Sequence, residues 1–134
     1  VVLREAETFG KILLSGRARE AIRSGSVRKG DPFPVAEVAA MHAAKQTSLL
    51  VPHCHQVPLD QVEARFELKE DGVEVVCRVR ARARTGVEME ALVGVAAALN
   101  TVWDMVKYLE KDPEGQYPET RIVDIHVVRK RKGA

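Results

Sequence analysis

TGVEMEALVGVAAALNTVWDMVK, from Thr85 to Lys107, is the stretch on which the reading of the fold turns. Leu92, Val95, Leu99, Val102 and Val106 recur at three- and four-residue steps, which makes one face of a helix apolar. A second stripe runs through Glu90, Gly94, Ala97, Thr101, Asp104 and Lys107. It is polar at both ends and small in the middle, where another backbone can approach closely. Thr85-x-x-Glu88 has the spacing of a capping box, with a hydroxyl for free backbone N–H groups and a carboxylate that reaches back. The stretch therefore predicts one helix from Thr85 to Lys107. At 1.5 Å per residue, Glu90 and Asp104 share an azimuth but lie roughly 21 Å apart along the axis. One small active site cannot easily use both from the same copy. If both are catalytic, two chains share the site.

Outward from this helix the pattern changes to a period of two. Val62, Ala64, Phe66 and Leu68 alternate with Glu63, Arg65 and Glu67, as in a half-buried strand. Lys69 to Gly72 supplies a hairpin turn. The return strand, Val73 to Arg84, puts Cys77, Val79, Ala81 and Ala83 on one face and Arg78, Arg80, Arg82 and Arg84 on the other. Beyond the long helix, Asp112 to Gly115 breaks the pattern, and Arg121 to Arg129 makes a last strand. At the front, Val1 to Leu14 is extended and Ser15 caps a short helix that ends in Gly25. Pro34 suits the first position of a helix to about Gln46, with Val35, Val38, Ala39, Met41 and Ala43 as packing residues. Leu50 to Leu59, with two prolines, is a structured loop. The order β-α-α-β-β-α-β predicts an α+β fold, a ferredoxin-like antiparallel sheet with helices packed on one face. No repeat or compositional break divides residues 1–134, so a single domain is expected.

Composition narrows the class. With 46% hydrophobic and 30% charged residues, a chain of 134 residues suits a soluble domain with one core. A net charge of +2 is too small to mark a nucleic-acid binder by itself, although basic residues gather in the arginine row and at Arg129 to Lys132. The apolar run from Ala91 to Leu99 falls short of the about 20 residues a bilayer span needs. No basic-then-apolar leader is present, and Cys54 and Cys77 make no disulfide framework. The expectation is a reducing cytoplasm and no membrane. Residue 1 is Val, so the stretch is expected to lack its native N-terminal segment.

Several groups can carry chemistry. Asp104 and Lys107 share a helix face, which serves a surface ion pair as readily as a partly buried carboxylate that orients a lysine for proton transfer. Glu88 has a structural use as the capping carboxylate. Glu90, aimed about 200° away on a regular helix, complements the helix dipole or acts on a ligand. His53-Cys54-His55 looks like a metal cluster, but neighbours in an extended segment point in alternating directions and no CxxC or HxxxH supplies further ligands. No metal is expected; a histidine held between prolines suits hydrogen bonding or proton transfer. Lys29-Gly30-Asp31-Pro32 has ordinary turn chemistry. The arginine row either grips phosphates or forms the wet face of a hairpin with Glu63 and Glu67 across from it. The Arg129 to Lys132 run is a solvated tail or an anion-binding end.

Arg4-Glu5-Ala6, the KGDP at Lys29, the AAKQT at Ala43, the VPHCH at Val51, the TGVEMEAL at Thr85 and the DMVK at Asp104 together resemble the MoaC family. These are the cyclic pyranopterin monophosphate synthases of molybdenum cofactor biosynthesis. The resemblance runs from near Arg4 almost to the end, and TGVEMEAL followed by DMxK is its most specific part. It implies a ferredoxin-like α+β fold and a homohexamer built as a trimer of dimers, with sites at subunit interfaces. It also implies conversion of a cyclised dihydro-GTP, made by a radical enzyme, to cyclic pyranopterin monophosphate and pyrophosphate. Carried over residue by residue, the resemblance makes Lys29 and Lys107 the essential lysines and Asp104 the catalytic aspartate. His53, Cys54 and His55 become the substrate-contacting loop, with Glu88, Met89 and Glu90 as the acids and their methionine. Arg4 becomes the anion-binding arginine and Lys130 a late lysine. His53 stands where many members carry leucine, and the chain ends RKRKGA where members typically continue KxGGKSG.

On this resemblance, Asp104 holds Lys107, while Glu88, Glu90 and His55 bind the base or relay protons. The lysines can do acid–base work if crowding by other cations lowers their pKa. No redox change is required, so no cofactor is expected. A different class, a non-enzymatic RNA-binding module on the arginine row and basic tail, needs strand aromatics on which bases stack, and the return strand has none.

Overall fold

The computed structural model describes residues 1–133. Alternating side chains build four strands, β1 (Val2–Leu13), β2 (Gln61–Leu68), β3 (Gly72–Ala83) and β4 (Arg121–Lys132). They pair antiparallel in the order β2-β3-β1-β4. Three helices lie between β1 and β2: α1 (Gly16–Ser24), α2 (Pro32–Lys45) and the single turn α3 (Thr47–Leu50). The long helix α4 (Glu88–Glu110) joins β3 to β4. This is the expected α+β, ferredoxin-like arrangement, with α3 as an added turn just before the His53 loop.

The pleat gives each strand two unlike faces. Ala6, Thr8 and Ile12 of β1, with Val73, Val75, Cys77, Val79 and Ala81 of β3, are fully buried beneath the helices. On the other face the register sets Glu5 against Arg80 and Glu7 against Arg78. Arg78 reaches Glu7 at 3.3 Å and Glu63 at 3.2 Å, and Arg80 reaches Glu5 at 3.4 Å. The first half of the arginine row is therefore a charge ladder across β2, β3 and β1. Glu63 is the partner expected, but Glu67 is not, because it lies opposite Glu74 and pairs with Lys69.

Val95, Leu99, Val102 and Val106 of α4 are fully buried, and the Thr8 hydroxyl donates to the Ala91 carbonyl at 2.7 Å, tying helix to sheet. α2 lies against the other flank of α4. A Cβ at Gly94 would stand 2.9 Å from Cys77 Sγ and 3.4 Å from the Ala40 carbonyl, so the small stripe does admit a second backbone. The inward face of α2 differs from the one expected. Ala36, Ala40 and Ala44 are buried, whereas Val35 and Val38 remain 48% and 49% exposed. Close helix approach selects the small side chains and turns the bulkier valines outward.

Helix ends bring further corrections. Ser15 caps α1 and Gly25 closes it, as read. α2, however, starts at Pro32 with Asp31 as its cap, because Pro32 already fills the first helical position. α4 starts at Glu88, with Val87 at the cap position and no side-chain cap, so the Thr85–Glu88 capping box does not form. The Glu88 carboxylate accepts from Lys130 instead, at 2.9 Å. At its far end α4 continues past Lys107 to Glu110. That buried carboxylate accepts from the Ser15 N–H and hydroxyl and from the Thr120 hydroxyl, joining α4 to the start of α1 and the lead-in to β4. Arg129 to Lys132 is no tail; these residues pair with β1 from Glu7 back to Arg4. By length and composition α4 could pass for a membrane span, but half of its most apolar window is buried in the protein, as in a core helix.

Gly94→Val tests the close approach. Overpacking at such a contact costs about 1–3 kcal/mol, whereas replacing glycine in a helix returns only a few tenths. Urea unfolding should show a lower midpoint with an unchanged slope. A midpoint at or above that of the native sequence would show that α2 and α4 have room to part.

Candidate active site

Two clusters of the expected residues form, one at each end of α4. At its start, the irregular segment after α3 brings His53, Cys54 and His55 over the first turn of the helix. The Cys54 N–H donates to the Val51 carbonyl at 2.9 Å, and the Asp60 N–H donates to the Arg80 carbonyl at 2.9 Å, which holds this segment at both ends. Beneath it lies a cavity of about 300 Å³ whose lining includes all three loop residues, Thr85, Glu88, Met89 and Glu90.

The two acids stand in unlike surroundings. Glu90 is 3% exposed; its Oε2 accepts from the Cys54 thiol at 3.7 Å, while its Oε1 is buried without a hydrogen-bond partner. Burial pushes its pKa up, and the neighbouring Glu88 adds to that. Glu88 is pulled down, first by the hydrogen bond from Lys130, with Arg4 contributing at longer range. One carboxylate is thus kept ionised while its neighbour is driven toward the neutral acid. The Cys54 thiol is pushed up by burial and by Glu90, which disfavours the thiolate. Arg4 of β1 donates to the carbonyls of Ala83 and Arg84 at 3.4 and 2.8 Å, and Lys130 approaches from β4. Arg4, His53, Cys54, His55, Glu88, Met89, Glu90 and Lys130 therefore belong to one neighbourhood.

His55, Val57 and Thr85 also line a second bay of about 450 Å³ that includes Arg82 and Arg84. Among the described residues neither arginine enters an ion pair, unlike Arg78 and Arg80. The arginine row is divided: its first half is neutralised within the sheet and its second half offers positive charge. Among the described residues no three His, Cys, Asp or Glu side chains gather as a metal ion would need.

At the far end of α4, Asp104 Oδ1 accepts from Lys107 at 2.8 Å and its Oδ2 lies 3.6 Å from Lys29. All three side chains are exposed. The Lys107 hydrogen bond, and then the charges of Lys107 and Lys29, hold the Asp104 carboxyl below its usual range. Asp104 in turn raises Lys107. Within this chain Lys107 is therefore kept protonated, opposite in sign to the lowering anticipated from cation crowding, because the carboxylate is the nearest charge. It suits a cation or an acid rather than a base.

α4 is continuous from Glu88 to Glu110, so Glu90 and Asp104 stand on one unbroken rod, roughly 21 Å apart. The structure does not bring the two clusters together within one chain. The sequence reading also missed the aromatic surroundings of the second cluster. Tyr108 accepts from the Arg28 N–H, and Trp103 packs edge-on against Tyr117. The available signal was placement, since the single Trp and both Tyr of the chain lie between residues 103 and 117.

Residues 1–133 match the model of the MoaC family. A protein of Thermococcus kodakarensis is 50% identical over 133 residues, which is 99% of this chain and 85% of that protein. One from Aeropyrum pernix is 54% identical over 132 residues, covering 98% and 90%. One from Thermoplasma acidophilum is 49% identical over 129 residues, covering 96% and 90%. Each is named "Probable cyclic pyranopterin monophosphate synthase". A family match over nearly every residue, with relatives at about half identity along the same length, means that the chain belongs to the MoaC family.

Proposed function

We propose that this chain is a cyclic pyranopterin monophosphate synthase of molybdenum cofactor biosynthesis. It is read as a phosphorus–oxygen lyase that converts a cyclised dihydro-GTP to cyclic pyranopterin monophosphate and pyrophosphate. The observation that carries the reading is the division of chemistry along α4, with carboxyls in a cavity at one end and lysines around an aspartate at the other. The purine-derived ring presents N–H donors, which suit Glu88 and Glu90, with Met89 and the His53-Cys54-His55 loop against its faces and edges. The triphosphate needs cations, which Lys29, Lys107, Arg4 and Lys130 provide.

Closing the cyclic phosphate requires a substrate hydroxyl oxygen to bond to the innermost phosphorus while the bond from that phosphorus to the bridging oxygen breaks. The hydroxyl proton leaves to a base, and pyrophosphate departs with the bonding electron pair. Lys107, held protonated by Asp104, neutralises charge as it develops on the departing group. Lys29, on the other side of Asp104, is the second cation of that step. His55, which lines the cavity beside Glu88 and Glu90, is assigned the proton transfers of the ring rearrangement. The reading treats residues 1–134 as a single domain acting in the cytoplasm, with no resident cofactor, and both cysteines are free.

The site is proposed to lie between subunits of a homohexamer arranged as a trimer of dimers. Support comes from the span between the two clusters, and from Val35, Val38, Leu49 and Leu50, apolar side chains left exposed on α2 and α3. The RNA-binding alternative loses half of its arginine row, because the charges of Arg78 and Arg80 on the open sheet face are already met by Glu5, Glu7 and Glu63, and Arg82 and Arg84 instead border the bay beside His55.

Lys29→Ala, Lys107→Ala and Asp104→Asn should each lower product formation by at least about a hundredfold in a protein that melts normally. Near-normal turnover by any one of them removes that residue from the chemistry. A mixing experiment tests the shared site. Glu90→Ala and Asp104→Ala proteins, each inactive alone, should regain roughly a quarter of native activity after subunit exchange, since half of randomly paired dimers are mixed and each has one intact site. No recovery after verified exchange would mean that each chain builds its own site.

The proton on Glu90 has a separate signature. Its pKa is raised in the folded state, so the folded protein binds the proton more tightly, and this contribution to stability is complete below the ordinary glutamate range. It is lost as pH rises through the raised value. Glu90→Gln, a mimic of the neutral acid, should therefore melt higher than the native protein near neutral pH, and the gap should close as pH falls below about 4.3. A gap that does not change with pH would show that Glu90 titrates as an ordinary surface acid.

A further inference from the structure

The turn that carries Lys29 is fastened to α4 by the residue next to Lys107. The Arg28 N–H donates to Tyr108 Oη at 2.7 Å, and the Arg28 guanidinium lies 4.4 Å from the centre of the Tyr108 ring. One aromatic side chain thus grips one residue twice, by hydroxyl to backbone and by ring to cation. Lys29 follows directly. Gly30 then turns the chain with φ of 106°, a conformation open to glycine, and its N–H closes the turn on the Val27 carbonyl at 3.0 Å. The Lys29–Asp104 contact is a weak anchor by comparison, at 3.6 Å with side chains 52% and 58% exposed. An exposed pair of this kind is screened by salt and does not hold a flexible lysine in one place. What locates Lys29 is the bracing of its neighbour.

We infer that Tyr108 is a positioning residue for Lys29, clamping Arg28 so that the Lys29 ammonium is presented to Asp104 beside Lys107. The inference rests on the reading of Lys29, Asp104 and Lys107 as the phosphate-handling end of the site. Its rival is a purely structural role, in which Tyr108 only covers the last turns of α4 and its loss lowers stability without touching Lys29. The charged and titratable groups around Asp104 are Lys107 on its own helix, Lys29 on the facing turn and Tyr117 beside Lys107.

Tyr108→Phe keeps the ring over Arg28 and deletes only the acceptor for its N–H; Tyr108→Leu deletes both holds. The measurements are thermal unfolding, steady-state turnover of cyclised dihydro-GTP, and a carbon NMR titration of the Asp104 carboxyl. Tyr108→Phe should melt like the native protein and lose about tenfold to a hundredfold in kcat with little change in KM, the expected effect of a reacting group displaced by an ångström or less. Tyr108→Leu should lose more. In the titration, Asp104 should move back up toward its ordinary range in Tyr108→Phe, because Lys29 has left its side. In a Lys29→Met background the same substitution should add no further shift. If either tyrosine variant fails to fold, Arg28→Leu removes only the guanidinium and carries the same readouts.

Native kcat together with a native Asp104 titration in Tyr108→Phe would overturn the assignment. So would a shift of equal size in the Lys29→Met background, since the effect would then not pass through Lys29. If the native protein leaves cyclised dihydro-GTP untouched, the enzymatic reading fails. The titration cycle, which uses no substrate, still decides whether Tyr108 holds Lys29.

Discussion

The close approach of α2 to α4 at Gly94 is the constraint on which the rest of this structure depends. It allows a 23-residue helix to lie between a sheet and a second helix at the same time. With side chains of ordinary size at Gly94, Ala40 and Ala44, α2 would be lifted off, and Cys77 of β3 would lose the cover that drives its thiol pKa up to about 12. Thr8 adds a polar tie from the sheet, and Glu110 gathers three donors at the far end. α4 is therefore held on its flank, beneath and at its end. These holds fix where the two termini of α4, with the proposed site residues, stand relative to the sheet.

Each terminus is suited to its charges by the helix itself. Acids in the first turn meet the positive end of the dipole, and Lys107 in the last turns meets the negative end. Around these ends the protein adds opposite environments. The start of α4 is roofed by the His53-Cys54-His55 segment, which dries Glu90 while Lys130 and Arg4 keep Glu88 ionised. The end of α4 is open, and Asp104 stands there as an anion between two lysines, bonded to Lys107, whose pKa it raises, and 3.6 Å from Lys29. The proposed substrate, with an N–H-rich ring and a triphosphate, would use both environments, and the unbroken length of α4 sets them roughly 21 Å apart within one chain.

Both halves of the sheet's polar face show how register decides the use of a residue. Arg78 and Arg80 lie opposite glutamates of β1 and β2 and are spent on each other's charge. Arg82, near the end of β3, and Arg84, just past it, lie beyond those glutamates and border the bay beside His55. The four arginines are equivalent in sequence and differ only in what the neighbouring strands set across from them.

The sequence by itself determined the order of elements apart from the α3 turn, the buried stripe of α4 from Val95 onward, the strand faces and the two-cluster spacing, because these depend on periodicity and rise per residue, which are local properties. Motif spacing carried the family assignment for the same reason. Tertiary structure decided the inward face of α2, where alanines at four-residue steps outcompete the more hydrophobic valines, since contact distance rather than hydrophobicity governs that surface. It also decided the start of α4: Thr85 and Glu88 have capping-box spacing, yet Lys130, 42 residues away, takes the carboxylate. Lys107 went the other way from its anticipated shift because the charge nearest in space is Asp104. Tyr108 drew no attention in the sequence, since a hydrogen bond to Arg28 across 80 positions leaves no local trace. Residues whose roles depend on their own helix or strand could be read in advance; those whose roles depend on a partner brought in from elsewhere could not.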